Sequence, residues 1–375
     1  MSRLRYIVVP VVVLLAIMVL SGLTFAQFEV KPPLAATSFV GAGFGARAIG
    51  MGGAFVAVAD DATAVFWNPA GLAQLERPEL SMVMATISAL DMYGRRDWVP
   101  VGAEFQSTEK ITDFSLKSES LGVDFLSVAF PKRVGETKTA WALSYSRDGF
   151  FKESGTIADP GVPGTILGPG TAARSLSNEF TSVSLAYARG NDNDMFGASL
   201  ISQNSEFSSS VIDRPGLQSS ASTENDRALG WQVGWLGKRK TTSFGATYRT
   251  SGGQDVSKVQ RYPSSWSVGA AFQPREDLKW AVAYRRFDEE TGNTILPQAL
   301  NSYHVGVEQV LRSKGRLIPV RLGFYTRRSD AAGFEDVNVF TVGSGVAGPR
   351  WNLDGAVEFG NRSFRRYTVS LVSAF

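Results

Sequence analysis

The chain has 375 residues, with 38 lysines and arginines against 35 acidic residues, one histidine and no cysteine. The lack of thiols excludes thiol catalysis, thiolate metal sites and disulfides, so the fold must be held by a core or by a closed hydrogen-bond network. Basic and acidic residues are interspersed without a one-sign stripe, so the formal charge of +3 points to no nucleic-acid partner.

The first element is a leader. Arg3 and Arg5 precede an apolar run from Tyr6 to Leu20, which closes on Ser21-Gly22 and Thr24-Phe25-Ala26. This pattern predicts a signal peptide over residues 1–26, cut after Ala26. The run is shorter than the ~20 residues a membrane-spanning helix needs, and Pro10 interrupts it. Without Arg3 and Arg5, 36 of the 38 basic residues remain against the 35 acids. No cysteine follows the run to carry a lipid. Mean hydropathy is −0.03, and no later run resembles a transmembrane helix. That excludes a helical membrane protein but not a barrel, whose strands alternate and average to neutral hydropathy.

Residues 27–78 are rich in Gly and Ala and do not alternate. Asp60 or Asp61 is placed to cap a short helix over Ala62–Trp67. Pro69 disfavours helical backbone at Asn68 and ends that helix. Gly71 is expected to allow a tight turn into the first strand.

From residue 79 onward the period is two, giving fourteen candidate strands. The first is Glu79–Ala89. Six pairs follow across tight turns: Leu121–Phe130 with Thr139–Arg147, Glu179–Arg189 with Asp194–Ser205, Arg227–Leu236 with Thr242–Thr250, Ser264–Phe272 with Leu278–Phe287, Ser302–Leu311 with Leu317–Tyr325, and Val337–Val346 with Trp351–Gly360. The last strand is Arg365–Phe375. Connections between pairs read as long polar loops: Leu90–Glu119, Asp148–Asn178, Glu206–Asp226, Ser251–Pro263 and Asp288–Asn301, with Asn361–Phe364 a short exception. One face carries Trp141, Leu143 and Tyr145, Val183 and Leu185, or Leu229, Trp231 and Val233; the other carries Ser, Gly, Ala and Gln. Tight turns at one end, long loops at the other and apolar residues outside describe a transmembrane antiparallel β-barrel of about fourteen strands. Such a lumen is wide enough to need filling, which assigns 27–78 as an N-terminal plug, or hatch, and 79–375 as the barrel wall. Candidate strand breaks near Gly149 and Pro263 are of too common a kind to name an exit.

Gly45–Ser81, "GARAIGMGGAFVAVADDATAVFWNPAGLAQLERPELS", resembles the N-terminal hatch of the FadL/TodX outer-membrane transport family, in wording closest to its PorV-type branch. The resemblance implies an outer-membrane channel for passive uptake of hydrophobic compounds such as long-chain fatty acids, with no cofactor and no metal. It ties Asn68, Pro69 and Ala70 to transport, has ligand pass a shifting hatch and leave through a gap in the wall, and makes the chain no enzyme. The alternative is a PorV-like barrel that docks secretion-system proteins and carries no solute. Partners are then a hydrophobic small molecule or lipid, outer-membrane lipids and the barrel-assembly machinery. The Gly/Ser-rich loops Gly155–Ser177 and Ser208–Ser222 lack the apolar loop helix of the fatty-acid transporters.

The candidate gating residues are therefore Asn68, Pro69, Ala70 and Gly71, with Arg47, Phe66 and Trp67 as candidate ligand or lumen contacts. Tyr367, Val369, Leu371 and Phe375 share one parity and look like the C-terminal signal by which barrels are recognised for assembly. Arg47 could hold a carboxylate, but a salt bridge to a lumen acid such as Glu358 is the simpler expectation. Gly41–Ala46 fits G-x-G-x-x-A yet lacks the βαβ unit a dinucleotide site needs. His304 has lumen parity and no evident serine partner, so it reads as structural. Asp288, Glu289 and Glu290 read as a solvated or cation-crosslinked loop face.

Overall fold

The computed structural model describes residues 43–88, 92–97, 108–159, 170–212, 219–250, 263–288, 299–313, 316–329, 337–360 and 365–375. The leader and its Ala26 cleavage point, residues 27–42 of the hatch, the start of the G-x-G-x-x-A match, Glu289, Glu290 and the Asn361–Phe364 connection lie outside them.

Fifteen strands occur among the described residues: β1 Glu79–Ser88, β2 Met92–Asp97, β3 Thr108–Val134, β4 Thr137–Asp159, β5 Gly170–Gly190, β6 Asp194–Ile212, β7 Ser219–Arg239, β8 Thr242–Arg249, β9 Ser265–Arg275, β10 Leu278–Phe287, β11 Leu300–Ser313, β12 Arg316–Ser329, β13 Val337–Ala347, β14 Trp351–Gly360 and β15 Arg365–Ala374. Neighbours pair antiparallel in chain order, and β1 pairs with both β15 and β3, which closes the cylinder. β2 continues the line of β1 along β3, so the fifteen strands make fourteen staves. The β15–β1–β3 pairings close the ladder around the membrane-crossing part of the cylinder, as lipid requires, while β2 pairs with β3 alone.

Outward positions are apolar: Trp141, Leu143, Val183, Leu185, Leu229, Trp231, Tyr367 and Val369 are exposed. Their neighbours Ser144, Ser146, Ser182, Ser184, Gln232 and Ser370 are buried inside. A greasy exterior around a polar interior is the arrangement of a membrane-spanning barrel.

Three expected loops are corrected. Much of 108–119, 148–159, 170–178, 206–212 and 219–226 is strand, including most of the stretches read as the loops Gly155–Ser177 and Ser208–Ser222. β4 has 23 residues, more than twice the roughly ten that cross a bilayer. Ladder hydrogen bonds do not require an apolar face, so Ser- and Thr-rich staves continue past the greasy band. The other expected loops fall largely on 251–262 and 289–298, outside the described residues.

Inside the cylinder lies the described part of the hatch, 43–78, carrying α1 Ala46–Gly50, α2 Ala64–Trp67 and a 3-10 turn Pro69–Gln74. Its apolar core (Met51, Phe55, Val58, Val65, Trp67, Leu72) packs on small wall residues, among them Ala129, Ala140, Ala186 and Ala188. Glycines complete this seat. A Cβ at Gly197 would lie 2.3 Å from the Pro69 carbonyl carbon, at Gly245 2.2 Å from the Val56 oxygen, at Gly306 2.2 Å from the Met51 oxygen and at Gly323 2.1 Å from the Gly52 nitrogen. The wall is bare where hatch backbone touches it, a standard use of glycine inside strands.

Two local expectations also change. α2 begins at Ala64 with Thr63 as its N-cap; Asp61 accepts from the Thr63 N–H at 2.9 Å and does not cap a helix from residue 62. Gly71 lies within the 3-10 turn, where a side chain would run into the Ala59 carbonyl, and makes no turn into β1.

Candidate functional site

Asn68 holds the break between the two short helices. Pro69 forces it out of helical conformation, to φ −163° and ψ 103°, and its side-chain oxygen accepts from the Ala70 N–H at 3.1 Å to start the 3-10 turn. Its amide nitrogen donates to the Val56 carbonyl at 2.9 Å, within the hatch, and to the Trp235 carbonyl at 3.0 Å, on the wall. Asn68, Pro69, Ala70 and Gly71 are all buried. The small side at Gly234 is what admits Asn68: a Cβ there would sit 2.2 Å from its Oδ1.

Arg47 is corrected from its expected partner. It reaches Asp60 at 2.5 Å and Glu308 of β11 at 2.8 Å, while Glu358 accepts from the Tyr325 hydroxyl at 2.8 Å and lies 3.3 Å from Arg366. The chain of charges continues on both sides: Lys279 to Asp60 at 3.2 Å, Arg321 to Glu308 and to Asp354 at 2.6 Å each. Burial alone would push the Asp60 carboxyl up, but the Arg47 and Lys279 charges outweigh it and hold the carboxyl far below the usual range. Burial, reinforced by the Asp60 charge, outweighs the Arg47 charge and the Thr63 hydrogen bonds at the neighbouring Asp61, and its carboxyl is raised. This relay ties hatch to wall across its tight-turn half.

The other side of the hatch is aromatic. Phe44 stacks on Phe125 of β3 with ring centres 5.1 Å apart and meets Phe66 edge-on at 4.9 Å; Val83 of β1 completes the cluster. Phe66 is only partly buried, while Trp67 is 1% exposed and donates its indole N–H to the Phe44 carbonyl at 2.8 Å. Arg285 lies over the Trp67 ring at 4.9 Å, and Arg249 and Arg285 flank Phe66 at 5.7 and 5.9 Å.

Beside this cluster the wall loses its regular pairing. Between β3 and β4 the register jumps from Leu116↔Glu153 to Phe125↔Ser146, and β4 shifts against β5 at Arg147/Gly149. The β4–β5 shift leaves out Asp148, next to Gly149, whereas Pro263 only precedes β9. Asp124 drops out of the β1–β3 ladder, and its carboxylate accepts from the Ala85 N–H at 2.7 Å. Arg147 bonds the same carboxylate from β4 and crosses the interval beside Gly122.

His304 has a serine partner after all. Ser302, two residues away on the same strand face, hydroxyl-bonds its Nε2 at 2.8 Å, and Nδ1 bonds the Gly52 carbonyl at 2.7 Å. The Gly52 carbonyl can only accept, so Nδ1 carries the proton and donates to it, and Nε2 of the neutral ring accepts from the Ser302 hydroxyl; the ring serves as a tie from wall to hatch. Sequence parity contained this pair, because residues i and i+2 of a strand face the same way. At the chain end Tyr367, Val369 and Phe375 are exposed and Leu371 half-buried on the outer face; the Phe375 N–H donates to the Pro78 carbonyl at 2.9 Å beside the β1–β15 seam. Asp288, next to the undescribed acids, lies 3.6 Å from Arg286.

No protein-family model matches the chain, and no curated protein matches it. Solved structures do. The toluene transporter TbuX of Ralstonia pickettii matches with TM-score 0.63 at 16% identity, over 89% of this chain and 98% of that one. The toluene transporter TodX of Pseudomonas putida matches with TM-score 0.59 at 14% identity, over 90% and 99%. The monoaromatic hydrocarbon channel CymD matches with TM-score 0.58 at 14% identity, over 89% and 98%. At these identities the likeness is one of fold: a fourteen-strand barrel of the TodX type.

Proposed function

We propose that the chain is an outer-membrane channel for passive uptake of small hydrophobic compounds, with the hatch as its gate. In this reading residues 1–26 are removed near Ala26, 27–78 form the hatch and 79–375 the wall, and the last strand with its terminal Phe375 addresses the chain to the barrel-assembly machinery. The observation that carries it is the aromatic cluster of Phe44, Phe66, Phe125 and Val83, an apolar patch in a polar lumen and next to the broken β3–β4 pairing. The fold shared with hydrocarbon channels supports the same solute class.

The cluster also bears on size. Covering one aromatic ring removes roughly 150–250 Å² from water, worth ~4–6 kcal/mol at ~25 cal/mol per Å². That suffices for transient binding of a ring-sized solute, whereas a long acyl tail at ~0.8 kcal/mol per methylene would need a longer apolar surface than these four side chains offer. Small rings therefore fit better than fatty acids. Asn68, Pro69, Ala70 and Gly71 fix the lower hatch, Arg47 anchors it through the relay, and Phe66 and Trp67 carry the binding side. No cofactor or metal enters, because transfer from water to an apolar patch and on to lipid runs downhill.

The test is entry of a neutral monoaromatic compound into liposomes containing the purified chain. Entry above that of protein-free liposomes, reduced by Phe66→Ser together with Phe125→Ser, is expected; entry equal to protein-free liposomes would overturn the reading.

A further inference from the structure

At the tight-turn end, opposite the aromatic cluster, a cleft of about 210 Å³ opens between hatch and wall. Its charged lining is four cations, Lys238, Arg239, Lys240 and Lys279, against the single acid Asp60. The cations have unequal commitments. Arg239 is drawn to Asp194 at 3.3 Å and to the Asn193 carbonyl at 3.1 Å, in the adjoining turn. Lys279 reaches Asp60 at 3.2 Å. Lys238 makes one hydrogen bond, to the neutral amide oxygen of Gln74 at 2.9 Å, and has no ion-pair partner among the described residues. Asp60 itself is already shared with Arg47 from inside the hatch.

We propose that this cleft binds a phosphate-type oxyanion between the Lys238 and Lys279 ammonium groups, either as free phosphate or as a phosphomonoester headgroup. Asp60 already demonstrates the geometry, since its carboxylate oxygen accepts from the Lys279 ammonium at the cleft wall. Lysine suits phosphate as a movable point charge on a flexible stem. The hatch side chain Gln74 holds Lys238 towards the cleft, with its own amide nitrogen fixed on the Val58 and Ala59 carbonyls at 2.7 and 3.1 Å. A bound dianion would compete with Asp60 for Lys279 and so touch the outermost link of the relay that seats the hatch. The site is independent of which solute the lumen carries.

The experiment titrates inorganic phosphate into the full chain in a zwitterionic detergent, by calorimetry and ³¹P line broadening. Saturable binding is expected, weakened at least tenfold in Lys238→Met and lost in Lys238→Met with Lys279→Met, both checked for an intact heat-modifiable barrel. Lys132→Met, in another turn, should bind like the parent. In a second arm, short-chain phosphatidic acid and phosphatidylcholine compete against phosphate. Displacement by phosphatidic acid alone identifies a headgroup as the better source, and displacement by neither identifies free phosphate; both uphold the site. Non-saturable binding, or saturable binding unchanged in the double variant, would overturn it.

Discussion

A single methyl group on the wall should unseat the hatch without harming the barrel. In Gly306→Ala the new Cβ would stand 2.2 Å from the Met51 carbonyl oxygen and 2.7 Å from its carbon, all backbone and unable to swing aside. Ordinary van der Waals contact begins at 3.4 Å, so residues 51–52 must retreat by about 1 Å. Three bonds hold that corner: the Gly52 N–H to the Thr341 hydroxyl at 3.0 Å, that hydroxyl to the Gly50 carbonyl at 3.0 Å, and His304 to the Gly52 carbonyl at 2.7 Å. At about 1 kcal/mol each their loss costs the hatch about 3 kcal/mol, or on the order of a hundredfold in the unseated population. The wall pays nothing comparable, since alanine suits a strand interior better than glycine and the Gly306↔Gly323 pairing involves backbone only. The chain has no cysteine, so Val65→Cys, buried at 2% exposure, reports hatch exposure to a polar maleimide. Labelling should rise by one to two orders of magnitude in Gly306→Ala with heat-modifiability unchanged. Gly355→Ala, whose Cβ meets nothing within 4 Å, is the control. Unchanged labelling, or a barrel that melts while the hatch stays protected, would refute the reasoning.

Asn68→Ala removes bonds to Val56, Trp235 and Ala70, which should loosen the hatch by about 2–3 kcal/mol, leave the barrel folded, raise ion conductance in planar bilayers and alter uptake of apolar solutes. The raised Asp61 carboxyl gives hatch seating a pH slope: the folded state holds its proton longer than the unfolded one, so stability falls as pH rises from about 4 to the raised value and is flat beyond it. Val65→Cys labelling should follow that slope, and Asp61→Asn should flatten it. Asp60 has the opposite sign; its seating contribution is complete above about pH 4 and fades only on further acidification, so Asp60→Asn should raise labelling most at neutral pH. Deleting Phe375 should lower the yield of heat-modifiable barrel several-fold in cells, whereas Phe375→Tyr should keep it.

How far these features were legible depends on what each residue had to reveal. Leu278–Phe287 and Trp351–Gly360 have the expected ends because charged, Gly and Pro turns bound a run that is greasy on one face. The upper halves of β3 to β7 were missed because alternation there is not between apolar and polar; the ladder persists where no lipid marks a face. For Arg47, parity places both Glu308 and Glu358 in the lumen, and choosing between them requires height and rotation around the cylinder, which pattern does not contain. The glycine seat was readable in principle. Gly197, Gly234, Gly245, Gly306 and Gly323 recur inside neighbouring staves, where a glycine usually marks close backbone approach.

The chemistry on the two sides of the hatch argues about the direction of travel. A straight path past the lower hatch would take an apolar solute through Asp60, Arg47, Glu308, Arg321 and Asp354, every one of them ion-paired. Parting any buried pair leaves an uncompensated charge, at about 3–5 kcal/mol, as much as the aromatic cluster gives by binding one ring. Among the described residues the sideways path meets the pair Asp124 with Arg147, at the point where the β3–β4 ladder is already interrupted. If the chain carries hydrophobic solutes as proposed, a small movement at Phe44 and Phe66 would suffice for this route, with the lower hatch still seated. Carbodiimide treatment should test this, because Lys279 lies 3.2 Å from the Asp60 carboxylate and an amide between them pins the hatch to the wall. With that linkage verified by mass spectrometry, flux of a neutral aromatic compound should persist, while Gly122→Trp, which fills the interval beside Arg147, should reduce it strongly. Loss of flux on cross-linking would mean that the solute leaves past the lower hatch.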